Sequence, residues 1–125
     1  LVDRMAAHSF EDLVVWQKAH QYVITVYIMT KQYPKEEMFG LVNQLRRAAA
    51  SITANIAEGF VRTGNREKLR FYNISQGSLE ETKNFLILSK DLGYISSSVK
   101  DDLYAQASVI GKMLNAYCRE LSKTI

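Results

Sequence analysis

Residues 40–60 read GLVNQLRRAAASITANIAEGF, and this stretch decides the fold. At about 100° per residue, a helix built from it has an apolar side, a polar side and a side dominated by methyl groups. A helix whose neighbours all belong to its own bundle usually carries Lys and Glu on the side away from the core. Those residues are nearly absent from the methyl side, so we expect this helix to be packed on more than one side. The apolar side holds Leu41, Leu45, Ala48, Ile52 and Ile56, the polar side holds Gln44, Arg47, Ser51, Asn55 and Glu58, and the methyl side holds Asn43, Arg46, Ala50, Ala54 and Ala57.

The overall composition is that of an ordinary globular domain. A chain of 125 residues is long enough for one domain that buries roughly two-thirds of the surface of its unfolded form. Hydrophobic residues make up 47% of the chain, which excludes a disordered protein, and no apolar run approaches the roughly 18 residues of a membrane span. Cys118 is the only cysteine, so an intrachain disulfide is excluded. We expect a cytoplasmic protein with no membrane partner.

Helix breakers are few, and they divide the chain into four long segments. Pro34, Gly64 and Gly93 mark the divisions. A Ser-x-x-Asp capping pattern begins the first segment at Ser9, and another begins the last segment at Ser98. We predict helices over 10–32, 38–60, 65–92 and 98–122.

This pattern of segments indicates an all-α fold. No stretch alternates apolar and polar residues as a strand does, and connections of a few residues make successive helices antiparallel neighbours. We predict an antiparallel up-down-up-down four-helix bundle over 10–125. Residues 1–9 are expected to form a disordered tail, in which Met5 is the start of the natural protein and Leu1 to Arg4 are foreign to it. Gly77 and Gly111 fall inside predicted helices, where close contact with a neighbour and a tolerated cost are both open.

Two hypotheses concern the sides of the second helix that face away from the core. We interpret Ala50, Ala54 and Ala57 as an interface with another subunit, because small side chains let helices approach closely. High helix propensity on a solvent-exposed side is the alternative. For the polar side we expect a buried structural network in which Arg47 and Asn55 meet an acid of the third helix, with a half-solvated flank as the alternative. The predicted network consists of Arg47, Asn55, Glu58 and Glu81.

Groups for catalysis or metal binding do not converge in the sequence. The histidines are His8 and His20, and together with Cys118 they lack the spacing of metal ligands. No phosphate-binding loop or acyl-enzyme motif is complete. We therefore expect no enzymatic activity, no cofactor and no bound metal.

Basic residues concentrate at the turn between the second and third helices. The net charge of +3 permits nucleic-acid binding without requiring it. Such a cluster suits contacts with phosphates, and Tyr33, Phe60 and Tyr72 are candidate stacking surfaces, while Lys31 and Lys35 flank the first turn. A merely solvated end of the bundle is the alternative. The predicted nucleic-acid contacts are Arg62, Arg66, Lys68 and Arg70, with Arg46 as a weaker candidate.

Five short motifs are spread over nearly the whole domain. They are FEDL at 10–13, VWQKA at 15–19, LRRAA at 45–49, SITANIAEG at 51–59 and GSLEE at 77–81. Together these motifs are quite specific, and the chain that carries them resembles the 23S rRNA intervening-sequence protein family of bacterial four-helix-bundle proteins. The resemblance extends from about residue 10 to residue 121.

The resemblance implies a four-helix bundle that assembles as a ring, typically a homopentamer, without enzymatic activity. Relatives include accessory proteins of diversity-generating retroelements, which bind nucleic acid and a reverse transcriptase. The family's recurrent residues on the polar side of the second helix agree with a structural network. Two residues depart from the family pattern. Thr53 replaces a usual proline, which should leave the second helix straighter, and Lys83 replaces an acid that often follows Glu81, which weakens any claim of an acidic site.

Two functions follow as hypotheses. The first is a non-enzymatic, oligomeric nucleic-acid-binding protein, with RNA favoured over DNA, whose copies multiply a modest basic charge. The alternative is a protein-interaction scaffold that docks a partner such as a reverse transcriptase, with nucleic acid incidental.

Overall fold

The computed structural model describes residues 7–125, and these residues form four α-helices and two short 3-10 turns without any β-strand. The helices are α1 (Val14–Thr30), α2 (Leu41–Val61), α3 (Asn65–Asp91) and α4 (Ser97–Ser122). One 3-10 turn, Phe10–Asp12, precedes α1, and the other, Lys35–Glu37, lies between α1 and α2. The prediction of an all-α fold with four long helices is confirmed. No helix in the described part of the chain combines the length and hydropathy that a membrane span needs.

The first helix begins later than the sequence predicted. Ser9 precedes the 3-10 turn rather than an α-helix, and the Asp12 carboxylate accepts the backbone N–H groups of His8 (3.0 Å) and Ser9 (3.3 Å), which lowers the pKa of Asp12. Leu13 then adopts an extended conformation (φ −73°, ψ 126°), and its side chain is only 1% exposed. The chain thus leaves the helical path so that Leu13 enters the core, and α1 starts at Val14. The expectation for residues 1–9 falls mostly outside the described residues, although Ala7 packs against the core.

The last helix begins one residue earlier than predicted. Gly93 ends the turn after α3 with a positive φ of 81°, a conformation that L side chains rarely adopt. The Tyr94 N–H then donates to the Ser89 carbonyl at 2.9 Å. The chain re-enters a helix at Ser96, whose Oγ accepts the Val99 N–H at 3.1 Å. The N-cap is therefore Ser96 and not Ser98.

The apolar side of α2 lies in the core, as its 3.6-residue spacing predicted. Its five residues are all buried, and α3 and α4 contribute Leu79, Leu86, Ile110 and Leu114 to the same cluster. The most extensive packing is between α2 and α3, while α1 closes the core against both α2 and α4. A smaller apolar cluster around Tyr33 seals the region where α1 leads into α2.

Buried polar groups tie the helices together. The Tyr22 hydroxyl of α1 hydrogen-bonds Thr82 Oγ1 of α3 at 2.9 Å, and the Ser75 hydroxyl of α3 donates to the Ile52 carbonyl of α2 at 2.7 Å. Burial raises the pKa of Tyr22 to about 12. The hydroxyl is thus held neutral within the core.

The raised pKa of Tyr22 makes stability depend on alkaline pH. Because the folded-state pKa exceeds the unfolded value near 10, the contribution is fully present below pH 10 and is lost as pH rises through about 12. We expect ionisation of Tyr22 to remove about 3 kcal/mol of unfolding free energy between these limits. Urea unfolding at a series of pH values measures the loss, and Tyr22→Phe serves as the control because it cannot ionise. An identical alkaline decline in both proteins would contradict this role.

Glycine is required at one helical position and not at another. Gly59 lies inside α2, and a Cβ built on it would stand 2.6 Å from Cε1 and 2.9 Å from Cδ1 of the Tyr72 ring. A Cβ on Gly77 would meet nothing within 4 Å, and one on Gly111 would lie 3.4 Å from Leu79. Close approach therefore explains Gly59, whereas Gly77 makes no close contact within the chain.

The two glycines form a matched pair of substitutions. Gly59→Ala forces the buried Tyr72 ring aside, and we expect it to lower the free energy of unfolding by about 1–3 kcal/mol. Gly77→Ala adds a methyl group in open space within α3, and we expect a gain of about 0.5–1 kcal/mol from helix propensity. Urea denaturation of both variants measures the difference. Equal stabilisation by both substitutions would show that Tyr72 does not constrain Gly59.

Candidate nucleic-acid interface

The predicted basic cluster lies on a short connection between two long helices. α2 ends at Val61, Arg62 is extended (φ −67°, ψ 143°), and α3 begins at Asn65. Because only three residues separate the helices, the first two turns of α3 lie beside the last turn of α2. Arg66, Lys68 and Arg70 occupy those turns of α3, so the structure brings them near Arg62.

The Phe71 ring contacts two of the arginines. The Cζ atom of Arg62 lies 4.8 Å from the centre of the Phe71 ring, and that of Arg70 lies 4.5 Å from it. Guanidinium groups at these distances are attracted to the face of the ring. The sequence suggested Tyr72 as a stacking residue, but Tyr72 is buried and its neighbour Phe71 has this role. The spacing of Phe71 on α3 gave no signal for it, because the contact depends on how α2 ends.

Both of these arginines also have an acidic partner. Arg62 pairs with Glu58 at 2.6 Å, and Arg70 pairs with Glu67 at 3.4 Å. The four side chains are about half exposed, so each pair contributes little to stability and can exchange its acid for a phosphate. The formal charge of this group is zero, which is less basic than the count of arginines suggested.

The Lys68 side chain bonds to the end of α2 instead of extending into solvent. Its Nζ donates to the carbonyls of Gly59 at 3.1 Å and Phe60 at 2.6 Å, which lie in the last turn of α2. A cation at this position satisfies carbonyls that have no partner within the helix and complements the helix dipole. Arg66 differs, because it is exposed and forms no ion pair among residues 7–125. It is the cation of the turn with the fewest internal contacts.

The contrast between Lys68 and Arg66 can be measured. Lys68→Met removes two hydrogen bonds from the end of α2, and we expect the free energy of unfolding to fall by about 1–2 kcal/mol. Arg66→Gln removes a charge of the same sign at an exposed position, and we expect a change within about 0.5 kcal/mol. Thermal and urea unfolding of the two variants provide the comparison. A loss of the same size in both would assign Lys68 to the surface charge alone.

Arg46, the weaker candidate, lies far from the turn. Its Nε donates to Thr30 Oγ1 at 2.8 Å, its terminal N–H donates to the Tyr27 carbonyl at 3.1 Å, and its Cζ lies 4.9 Å over the Tyr27 ring. These contacts join the start of α2 to the end of α1. The structure therefore does not bring Arg46 together with the cluster at the other end of α2.

The predicted polar network is only partly assembled within one chain. Asn55 Nδ2 donates to the Ser51 carbonyl (2.8 Å) and to Ser51 Oγ (3.0 Å), and the Ser78 hydroxyl of α3 donates to Ser51 Oγ at 2.8 Å. Arg47 and Glu81 line one open groove between α2 and α3, but both are exposed and no ion pair joins them. The expected buried pairing of Arg47 and Asn55 with Glu81 is thus absent from the single chain, and serines take the place of the acid.

The methyl side of α2 faces away from the core. Ala54 is exposed, while Ala50 and Ala57 are half-buried. On α3, Ile74, Leu88 and Leu92 are between 40% and 49% exposed. Both helices therefore expose apolar side chains.

The described residues offer no evident metal centre. Within residues 7–125, no three His, Cys, Asp or Glu side chains converge so as to hold an ion. His20 stacks on Trp16 with ring centres 4.6 Å apart, and Cys118 lies 3.7 Å from the Asn73 side-chain oxygen, with the pKa of its thiol raised by burial. Both residues thus have packing contacts.

The fold and its surface define a class: a small all-α protein of four long helices with a cationic turn. The sequence model of the family described as 23S rRNA-intervening sequence protein matches residues 11–116. The chain belongs to this family, and the resemblance read from the motifs is confirmed. A search of curated proteins gives no match.

A solved structure supports the fold independently. The chain is similar to a crystal structure from Bacteroides thetaiotaomicron, described as a protein with unknown function from the S23 ribosomal protein family. The TM-score is 0.76 at 22% sequence identity, over 84% of this chain and 98% of that chain. At this identity the similarity establishes the fold alone.

Proposed function

We propose that this protein is a non-enzymatic, homo-oligomeric nucleic-acid-binding protein of the cytoplasm, with RNA as its preferred ligand. In this proposal the four helices alternate in direction, and several copies, typically five, assemble as a ring. Each copy presents its α2–α3 turn to the phosphate backbone. Binding is electrostatic and multivalent rather than dependent on one deep site.

The observation that carries the proposal is the arrangement of cations at the α2–α3 turn. Arg66 is exposed and unpaired, and Arg62 and Arg70 flank Phe71 with acids that a phosphate can displace. An arginine that stacks on a ring keeps further N–H donors for phosphate oxygens. Lys68 contributes charge but not a contact, because its ammonium already bonds two carbonyls.

The exposed surface of α2 and α3 supports assembly. Ala50, Ala54 and Ala57 allow another helix to approach closely, and the partly exposed Ile74 and Leu88 of α3 add exposed apolar area. Exposed apolar patches of this kind are typical of interfaces between subunits. Arg47 and Glu81, which are unpaired in one chain, are suited to pair across such an interface. Five copies would carry a formal charge of about +15, so assembly converts a weak field into a strong one.

Charge reversal at the turn tests the proposal. We expect the double variant Arg66→Glu with Arg70→Glu to bind a structured RNA hairpin at least about tenfold more weakly, because it replaces phosphate contacts with repulsion. Fluorescence anisotropy with labelled hairpin RNA and duplex DNA, over a salt series, gives the affinities. Light scattering should show an unchanged mass.

The control variant makes the same change in net charge at two other positions. Lys18→Glu with Lys112→Glu reverses two exposed charges elsewhere on α1 and α4. It should lower the affinity much less than the variant at the turn. Unchanged binding by the Arg66 and Arg70 variant, or an equal loss in both variants, would contradict the assignment of the turn.

A protein-interaction scaffold is the second candidate. It is favoured by Ile24 and Ile28 of α1, which are 39% and 58% exposed on a side that the basic turn does not explain. A partner such as a reverse transcriptase would then be the ligand, and nucleic acid would be incidental. Recovery of one stoichiometric protein after nuclease treatment, lost on Ile28→Asp, would support the scaffold over the nucleic-acid platform.

A further inference from the structure

A second cationic site lies where α1 leads into α2. A cavity of about 300 Å³ opens between the end of α1, the Lys35–Glu37 turn and the start of α2. Three basic side chains line it, and Thr30, Tyr33 and three apolar side chains form the rest of its wall. The volume is at the lower end of the range for small-ligand sites. The residues that matter are the cations Lys31, Lys35 and Arg46 and the apolar Pro34, Met38 and Val42.

Arg46 is fixed in this cavity by neutral groups. Two of its N–H donors bond Thr30 Oγ1 (2.8 Å) and the Tyr27 carbonyl (3.1 Å), and its guanidinium lies over the Tyr27 ring. A guanidinium has five N–H donors, so others remain for a ligand. The side chain is half-buried, and its geometry is set before any ligand arrives. An anion that binds there would not need to order Arg46.

None of the three cations has an acidic partner among the residues that the structure describes. Six ion pairs occur among residues 7–125, and none of them includes Lys31, Lys35 or Arg46. Arg46 is half-buried without an acidic partner, which is unusual for a charge, and the exposed Lys31 and Lys35 add positive charge at the same cavity, so the group points to an anionic ligand. The α2–α3 turn differs in this respect, because its two ring-stacked arginines are already matched by acids.

The nearby acids do not neutralise the cavity. Both carboxylate oxygens of Glu37 have partners elsewhere: Oε1 accepts the Leu41 N–H at 3.3 Å, and Oε2 accepts the Tyr94 hydroxyl at 2.8 Å. Glu37 therefore caps the start of α2 and holds the segment after α3. Glu36 is exposed and does not line the cavity.

We propose that this cavity binds the phosphomonoester of a nucleotide, either free or at the 5′ end of a nucleic-acid strand. Lys31, Lys35 and Arg46 surround the phosphate dianion with charge-assisted hydrogen bonds. The apolar wall receives the sugar, and Phe39, which follows Met38 and is 91% exposed, is available to stack on a base. A nucleotide combines the two chemistries that the cavity offers, whereas inorganic phosphate uses only one of them.

The site is separate from the α2–α3 turn. Arg46 lies in α2, and Arg62 directly follows the end of this helix. The 16 residues between their positions correspond to about 24 Å along the helix axis. Binding of a small nucleotide at one position therefore does not require the other. The proposal does not depend on the RNA contact proposed for the turn.

A pair of labelled oligonucleotides tests the proposal. One single-stranded hexanucleotide carries a 5′-phosphate and the other a 5′-hydroxyl, and both carry the same 3′ fluorophore. In anisotropy titrations with the full chain at moderate salt, we expect the 5′-phosphorylated strand to bind about tenfold more tightly. Lys31→Gln with Lys35→Gln should abolish this preference, and because both lysines are exposed, thermal unfolding should confirm an intact fold.

Two controls separate this site from general electrostatics and from the turn. Lys18→Gln with Lys112→Gln removes the same charge elsewhere and should keep the preference. Arg66→Glu with Arg70→Glu should weaken the binding of both strands and keep the ratio of their affinities. Loss of the ratio in either control, or its persistence after Lys31→Gln with Lys35→Gln, would overturn the proposal, as would equal binding of the two strands.

Competition distinguishes the sources of the phosphate. If adenosine 5′-monophosphate displaces the phosphorylated strand and adenosine does not, the cavity accepts free nucleotides. If neither competes while the tenfold preference stands, the ligand is the 5′ end of a strand. Both results support phosphomonoester binding.

Discussion

The close packing of α3 on α2 at Gly59 determines the geometry of the basic turn. The Tyr72 ring occupies the space where a side chain at position 59 would lie, so the two helices approach closely at this point. One turn earlier on α3, Lys68 reaches the carbonyls at the end of α2. The position next to Tyr72 then carries Phe71 on which two arginines stack. The surface cations are thus placed by a contact within the core.

The distribution of charge matters more in this protein than its net value. At the α2–α3 turn, Arg62 and Arg70 are paired with acids at helical spacing, so these acids offset the charge of the two arginines. Beside Tyr27, Arg46 is held by a hydroxyl, a carbonyl and a ring, and its charge is not offset. The net charge of +3 therefore does not reveal that acids offset Arg62 and Arg70 at the turn, whereas neutral groups hold Arg46.

The sequence predicted those features that depend on local periodicity. The buried side of α2 follows from apolar residues at intervals of three and four, and its burial is confirmed. The Glu58–Arg62 and Glu67–Arg70 pairs also have the spacing at which helical side chains meet. Family membership was readable from the motifs, because several short matches in a fixed order are more specific than any one of them.

The features that depend on tertiary contacts could not be predicted. Whether α1 starts at Phe10 or Val14 is decided by burial of Leu13. A lysine in a basic cluster looks the same in sequence whether it faces solvent or, like Lys68, a helix end. The expected acid of the polar network was replaced by Ser51 and Ser78, whose hydroxyls meet only when α2 and α3 are packed together.

We infer that several copies of this chain form one basic platform for RNA. Light scattering of the protein with a structured RNA, over a salt series, tests it most directly. We expect a defined species at a multiple of 14.3 kDa that binds RNA at low salt and whose affinity falls steeply as salt rises. A monomer of 14.3 kDa, or an intact oligomer that does not bind RNA even at low salt, would contradict this inference.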